Sequence, residues 1–173
     1  MAKEKSEFVE WVQAIAIAFV LSLLIKAFIF EVILVDGHSM APTIDERDRI
    51  IVIKLTKYFS KPKKGDIVIF KNPDNMKLNY VKRVIGLEGD KVQITEGQML
   101  VNDVALDEDY ISEPAFTDFD SHIVPKDTIF VLGDNRNLSR DSRDPSIGFI
   151  PLKNIVGKAK IRIWPLGSFK VFQ

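Results

Sequence analysis

Hydrophobic positions change rhythm once along this chain. From Trp11 to Ile25 the only polar residues are Gln13 and Ser22, and the apolar run resumes past Lys26. A helix apolar all round its circumference follows, and residues 8–30 are long enough to cross the roughly 30 Å of a bilayer core. Lys26 near one end can snorkel, and Trp11 falls at the opposite interface. The competing readings are a buried core helix and a cleavable signal peptide. A core helix has little domain to hide in here. A cleavable peptide needs a small-x-small site, and Lys26-Ala27-Phe28-Ile29-Phe30-Glu31 offers one small residue, so the segment reads as an uncleaved anchor.

Past Glu31 the helical period is lost, and short β-branched runs alternate with turn residues. Ile50-Ile51-Val52-Ile53, Ile67-Val68-Ile69-Phe70, Val92-Gln93-Ile94, Thr128-Ile129-Phe130-Val131-Leu132 and residues 155–164 predict strands. Gly, Pro and Asn punctuate them at Lys61-Pro62-Lys63-Lys64-Gly65, Asn72-Pro73-Asp74-Asn75, Glu88-Gly89-Asp90 and Gly97-Gln98. Ile94 to Val101 predicts a hairpin. Residues 103–126 are acidic and irregular, and predict an insertion outside the core. The fold class is therefore mainly β: an antiparallel sheet domain behind one N-terminal transmembrane helix. Residues 1–7 form a short cytoplasmic N-terminus, 8–30 the anchor and 31–173 an extracytoplasmic domain, with a small inserted lobe at about 91–126. Lys3 and Lys5 precede the anchor and no basic residue lies between Lys26 and Arg47, which favours the amino terminus inside.

Composition narrows the chemistry. The 24 Lys and Arg balance 24 Asp and Glu, which argues against a nucleic-acid partner. With no cysteine and two histidines, a disulfide framework, a thiolate nucleophile and a Cys- or His-rich metal site drop out, so neither metal nor cofactor is expected.

Three polar stretches remain to carry chemistry. The first is Gly37-His38-Ser39-Met40-Ala41-Pro42-Thr43. A serine hydroxyl attacks only when a base takes its proton, and the candidates are His38, His122 and Lys82. His38 adjoins Ser39, so in extended chain it points to the other face. His122 falls in the acidic insertion with no predicted strand to fix it. Lys82, in Tyr80-Val81-Lys82-Arg83-Val84-Ile85-Gly86, sits in a predicted strand whose alternation puts Tyr80, Lys82 and Val84 on one face. An apolar face disfavours the ammonium and is the route to a neutral amine base; a solvated strand edge is the alternative. The third stretch, Gly133-Asp134-Asn135-Arg136-Asn137-Leu138-Ser139-Arg140-Asp141-Ser142-Arg143, follows an apolar strand. Ser139 or Ser142 can meet the lysine amine there, and Asp141 can pair with Arg143 to fix the loop.

Together these stretches resemble the type I signal peptidases, in the small bacterial Ser/Lys form, over nearly the whole chain. The family pattern runs as an anchor, then a Ser-Met-x-Pro-Thr box, a Lys-Arg-x-x-Gly-x-x-Gly-Asp box and a Gly-Asp-Asn-Arg-x-x-Ser-x-Asp-Ser-Arg box. Here these are Ser39 to Thr43, Lys82 to Asp90 and Gly133 to Arg143. The resemblance implies Ser39 as nucleophile, Lys82 as general base and Ser139 as the hydroxyl that orients the amine. It makes Asp134, Arg136, Asp141 and Arg143 structural supports, and the Ser39 amide an oxyanion donor. Gly37 stands where some members carry a second, hydroxyl donor, which must then come from a backbone amide, a water or another side chain. Leu138 stands where the family often has Asn, and Glu88 where it often has Pro.

The activity implied is removal of signal peptides from exported preproteins, cutting after small-x-small sites of the Ala-x-Ala kind. Val35, Asp36, Ile44, Tyr80 and Val81 flank the dyad and are the candidate pocket residues. The substrate adds as a strand. Phe28 to Val35 and Met40 are expected to hold the catalytic face to the lipid bilayer, in a single-pass plasma-membrane protein near the secretion translocon. A non-catalytic extracytoplasmic binding protein on the same fold is the alternative. A self-cleaving repressor also uses a Ser/Lys dyad but needs a DNA-binding helix-turn-helix, and this chain has an apolar anchor in its place.

Overall fold

In the computed structural model, which describes residues 7–172, the apolar run forms helix α1 (Glu7–Phe28), with its side chains projecting away from the rest of the molecule. The helix stops two residues short of the predicted anchor end. Phe30 instead opens strand β1 (Phe30–Leu34), which pairs antiparallel with β2 (Arg49–Ile53) from Phe30 opposite Ile53 to Leu34 opposite Arg49. Ladder pairing captures those backbone groups, and the junction is pinned when the Lys54 amide donates to the Ile29 carbonyl and its ammonium pairs with Glu31 at 2.9 Å.

After a one-turn helix, α2 (Thr56–Phe59), the chain runs through β3 (Ile67–Lys71), β4 (Asn79–Leu87), β5 (Lys91–Thr95), β6 (Gln98–Val101), β7 (Val104–Ala105), β8 (Phe119–Ile123) and β9 (Thr128–Leu132). It ends with β10 (Ile150–Pro151), β11 (Ile155–Trp164) and β12 (Lys170–Val171). The larger sheet has the order β1-β2-β11-β3-β4-β9-β10, with β12 also on β11, and the smaller has the order β7-β6-β5-β8. Every pairing is antiparallel. The β5–β6 hairpin turns at Glu96 and Gly97, both at positive φ (50° and 79°), as a two-residue loop with matched twist requires.

The acidic insertion is more ordered than its composition predicts. His122 lies on β8, opposite Val92, with its ring 4.9 Å from that of Phe119. The strand was hidden because its burial is one-sided: Phe119 is partly covered, while the four residues after it are exposed. Pairing to β5 makes it a strand, which its own hydrophobicity does not.

Alternation along β4 divides its side chains between apolar clusters. Tyr80 and Val84 pack with Val68, Phe70, Ile129 and Val131, whereas Val81 packs with Ile67, Ile69 and Ile44. Lys82 lies opposite Val68 in the β3–β4 register, on the face of Tyr80 and Val84 that alternation predicts.

Candidate active site

Ser39 sits in the irregular segment between β1 and β2. Gly37, at φ +95°, starts the turn with nothing near its α-carbon, a conformation that favours glycine. Met40 and Ile44 then plunge into the core, and the Ile44 amide donates to the Met40 carbonyl at 2.9 Å. Two buried anchors on its C-terminal side hold the serine in place. Both residues depart from expectation for this reason: Met40 does not face outward, and Ile44 is fully buried and forms no wall of the cleft.

Lys82 reaches Ser39 from the strand, 43 positions along the chain. Its Nζ donates to Ser39 Oγ at 2.7 Å and to the Val81 carbonyl at 3.0 Å, and lies 5.2 Å from the Tyr80 ring centroid. The residue is 3% exposed. Burial pulls the amine down from 10.5 to about 8, against the opposing pull of the Asp141 and Asp134 carboxylates. With that value about one amine in ten is uncharged at pH 7 and about half at pH 8, each able to accept a proton.

The Gly133 to Arg143 loop closes the other side. Several of its hydrogen bonds are internal: Asp141 accepts from the Gly133 amide at 3.0 Å and from Arg143 Nε at 2.8 Å, and Arg143 also donates to the Arg136 carbonyl at 2.6 Å. Arg136 Nε donates to the Gly133 carbonyl at 3.1 Å. The Asn135 amide donates to the Ser39 carbonyl at 3.1 Å, tying the loop to the serine. A β-carbon on Gly133 would collide with that carbonyl and with the Ser139 hydroxyl, so the close approach needs a glycine. Ser142 Oγ accepts from the Val131 amide at 3.0 Å and serves the strand. Ser139 Oγ is buried without a hydrogen-bond partner, so it does not contact the lysine amine in this conformation.

Three residues that sequence reasoning passed over complete the frame. Arg83 clasps both oxygens of Asp134, at 2.8 and 2.6 Å. From the insertion, Glu108 accepts from Arg136 at 2.8 and 2.5 Å, and Tyr110 donates to Glu108 at 2.7 Å. Arg83 was legible as the neighbour of Lys82. Nothing in the spacing of Glu108 announces a partner 28 residues away, nor in that of Tyr110 a partner on β4.

Ser39 and Lys82 line a cleft of about 400 Å³. Val35, Asp36, Tyr80 and Val81 line it, joined by Ile33, Ile69, Leu78, Leu138 and Arg140. On β4, residues 79–82 pair with β3, and β9 joins only from Arg83 onward, so the other backbone edge of Asn79 to Lys82 is open on the cleft. His122 does not line it. Among the described residues no cluster of His, Asp or Glu is suited to a metal ion.

A hydroxyl bound to a buried amine, beside an open strand edge, is an arrangement suited to acyl transfer on an extended polypeptide, the work of a serine protease. The pattern of the family described as "Signal peptidase, peptidase S26" matches residues 8–164. The chain is 40% identical to "Signal peptidase I" of Leptolyngbya laminosa over 95% of its own length and 83% of that protein. It is 38% identical to "Signal peptidase I S" of Bacillus subtilis (strain 168), over 96% and 95% of the two chains. It shares 38% identity with "Thylakoidal processing peptidase 1, chloroplastic" of Arabidopsis thaliana, over 86% of this chain and 46% of that one. The crystal structure of a signal peptidase I from Enterococcus faecalis V583 superposes with a TM-score of 0.52 at 33% identity, covering 57% of this chain and 97% of that one. The chain belongs to the signal peptidase family and is a serine protease, a hydrolase.

Proposed function

We propose that this protein is a membrane-anchored signal peptidase that removes N-terminal signal peptides from exported preproteins with a Ser39/Lys82 dyad. The observation that carries the reading is the 2.7 Å contact between Ser39 Oγ and a lysine amine that burial holds near pKa 8. The neutral amine takes the hydroxyl proton as Oγ attacks the scissile carbonyl. The Ser39 amide stabilises the oxyanion, and the lysine returns the proton to the leaving amine. Water then hydrolyses the acyl-enzyme by the same proton route in reverse. Asp134, Arg136, Asp141 and Arg143 hold the loop that backs the serine. Ser139 comes to orient the amine after a side-chain rotation, its buried and unpartnered hydroxyl being free to do so.

The signal peptide adds as a strand along Asn79 to Lys82. Val35, Tyr80 and Val81, with Met40 and Ile69 behind them, leave room for small side chains, which supports cleavage after Ala-x-Ala-like sites. Asp36 edges the same cleft. Helix α1 spans the plasma membrane with its amino end in the cytoplasm, and residues 31–173 act outside, with the lobe at 91–126 braced on the catalytic loop. Exposed Phe28, Phe30, Leu34, Trp164, Leu166 and Phe169 give the domain an apolar rim towards the bilayer, near the point where the secretion translocon delivers its substrate.

The test is cleavage of a purified preprotein bearing an Ala-x-Ala site by the detergent-solubilised protein. Ser39→Ala and Lys82→Ala are expected to lower kcat by at least about a thousandfold, and His122→Ala to leave it unchanged. An active Lys82→Ala, or an inactive His122→Ala, overturns the dyad.

A further inference from the structure

The inserted lobe meets the catalytic loop at Asn137, which bonds Pro114 and Phe116, and at two side chains, Glu108 and Tyr110, whose arrangement has the form of a clamp. The Arg83 guanidinium carbon lies 4.0 Å from the centroid of the Tyr110 ring while its nitrogens straddle Asp134. Tyr110 in turn is anchored through its hydroxyl on Glu108, which Arg136 grips on both oxygens. The Arg136–Glu108 side chains are only 1% and 7% exposed. Burial and the Glu108 carboxylate push the Tyr110 hydroxyl well above its ordinary range, so it stays a donor throughout any assay.

We infer that Tyr110 is a positioning residue of the catalytic centre, its ring holding Arg83 against Asp134 so that the inserted lobe sets the charge environment of the Lys82 amine. The inference rests on the dyad reading above. Two buried carboxylates, Asp141 and Asp134, favour a protonated lysine, and each is matched by an arginine on both oxygens: Arg143 on Asp141, Arg83 on Asp134. Arg143 is fixed within its own loop by the Arg136 carbonyl. Arg83 is on a different element from its carboxylate, and beyond that pair its shortest bond is 3.1 Å, to the Gly65 carbonyl. The tyrosine face is what fixes the orientation of the guanidinium plane. Without it Asp134 loses part of its counter-charge one residue past Gly133, and a less compensated buried anion holds the lysine proton more tightly.

Other charged or titratable groups face Lys82 from each neighbouring element. Tyr80 lies on its own strand, Arg140 in the loop after β9, and Asp36 and His38 in the loop after β1, all lining the same cleft. A change confined to Tyr110 leaves these in place, and Arg136 keeps both bonds to Glu108.

The experiment is the pH dependence of kcat for the full-length protein in detergent, comparing wild type, Tyr110→Leu and Tyr110→Phe on one Ala-x-Ala preprotein. Tyr110→Leu is expected to move the acid limb up by about half a pH unit or more, lowering kcat at pH 7 about threefold with KM within about twofold. Tyr110→Phe keeps the ring, and its limb is expected within about 0.2 units of wild type. A purely structural tyrosine lowers melting temperature and yield without moving the limb. An unmoved limb in Tyr110→Leu protein that still melts cooperatively overturns the inference, as does a phenylalanine variant that shifts as far as leucine. Tyr110→Met, under the same criteria, replaces the leucine variant if that fails to fold. Failure of the dyad itself reads differently: Lys82→Ala stays active, or wild type shows no limb near pH 8.

Discussion

Lys82, the proposed base, carries a cost in stability. Its folded pKa of about 8 lies below the unfolded value of 10.5, so the native state binds its proton less well than the unfolded chain. The unfolded chain therefore holds more protons between these values, and stability rises with pH across that window, by about 3 kcal/mol in all for this group. Lys82→Met removes the titration. The variant is expected to be the more stable protein at pH 7, with the gap closing by about 3 kcal/mol between roughly pH 8 and 10.5; parallel denaturant midpoints measured across that range would contradict it. Legibility at this scale was uneven. Alternation placed Lys82 on an apolar face, but Ile44, equally apolar and five positions past Ser39, was buried by a turn that no periodicity announces. Glu108 and Tyr110 looked like two more members of an acidic, solvated run.

Among elements, the decisive contact is between two loops, one after β1 and one after β9. They meet where Gly133 passes the Ser39 carbonyl, and the Asn135 amide donates to that same carbonyl. Gly133→Ala is expected to push the loops apart, costing about 1–3 kcal/mol of stability and lowering kcat/KM at least about tenfold. Comparing the Gly133→Ala/Ser139→Gly double variant with Ser139→Gly alone separates the causes: the added loss in denaturant midpoint and kcat/KM persists because backbone, unlike a side chain, cannot rotate away. A double variant equal to Ser139→Gly alone would place the clash on Ser139 instead. The strands themselves were largely readable. Residues 155–164 form β11 and Ile94 to Val101 the β5–β6 hairpin, because two-sided burial and positive-φ turn residues leave marks in composition. β1 was masked by the apolar run it continues, and β8 by its exposed face.

For the whole molecule, α1 stands clear of the domain and offers apolar side chains on every side. In the proposed anchoring role, burying that surface in lipid supplies the association, and a charge at the helix centre opposes it by about 2.5–3.5 kcal/mol per residue. Ile17→Arg combined with Leu21→Arg is expected to move the protein from the alkali-resistant membrane fraction to the soluble one. Cleavage of a short Ala-x-Ala peptide in detergent should persist, since neither residue lies near the cleft. Retention in the membrane after alkaline extraction would remove α1 from the anchoring role.

The amino-acid sequence by itself determined the helix, most of the strands and the three polar stretches, because these depend on short-range periodicity and on residue types that few other contexts tolerate. Tertiary structure alone decided that Lys82 lies 2.7 Å from Ser39, that β4 has an open edge beside them, that the buried Ser139 hydroxyl makes no hydrogen bond, and that Tyr110 of the acidic insertion stacks on Arg83. These are contacts between segments tens of residues apart, whose geometry is fixed by how the sheets pack. No local pattern records it.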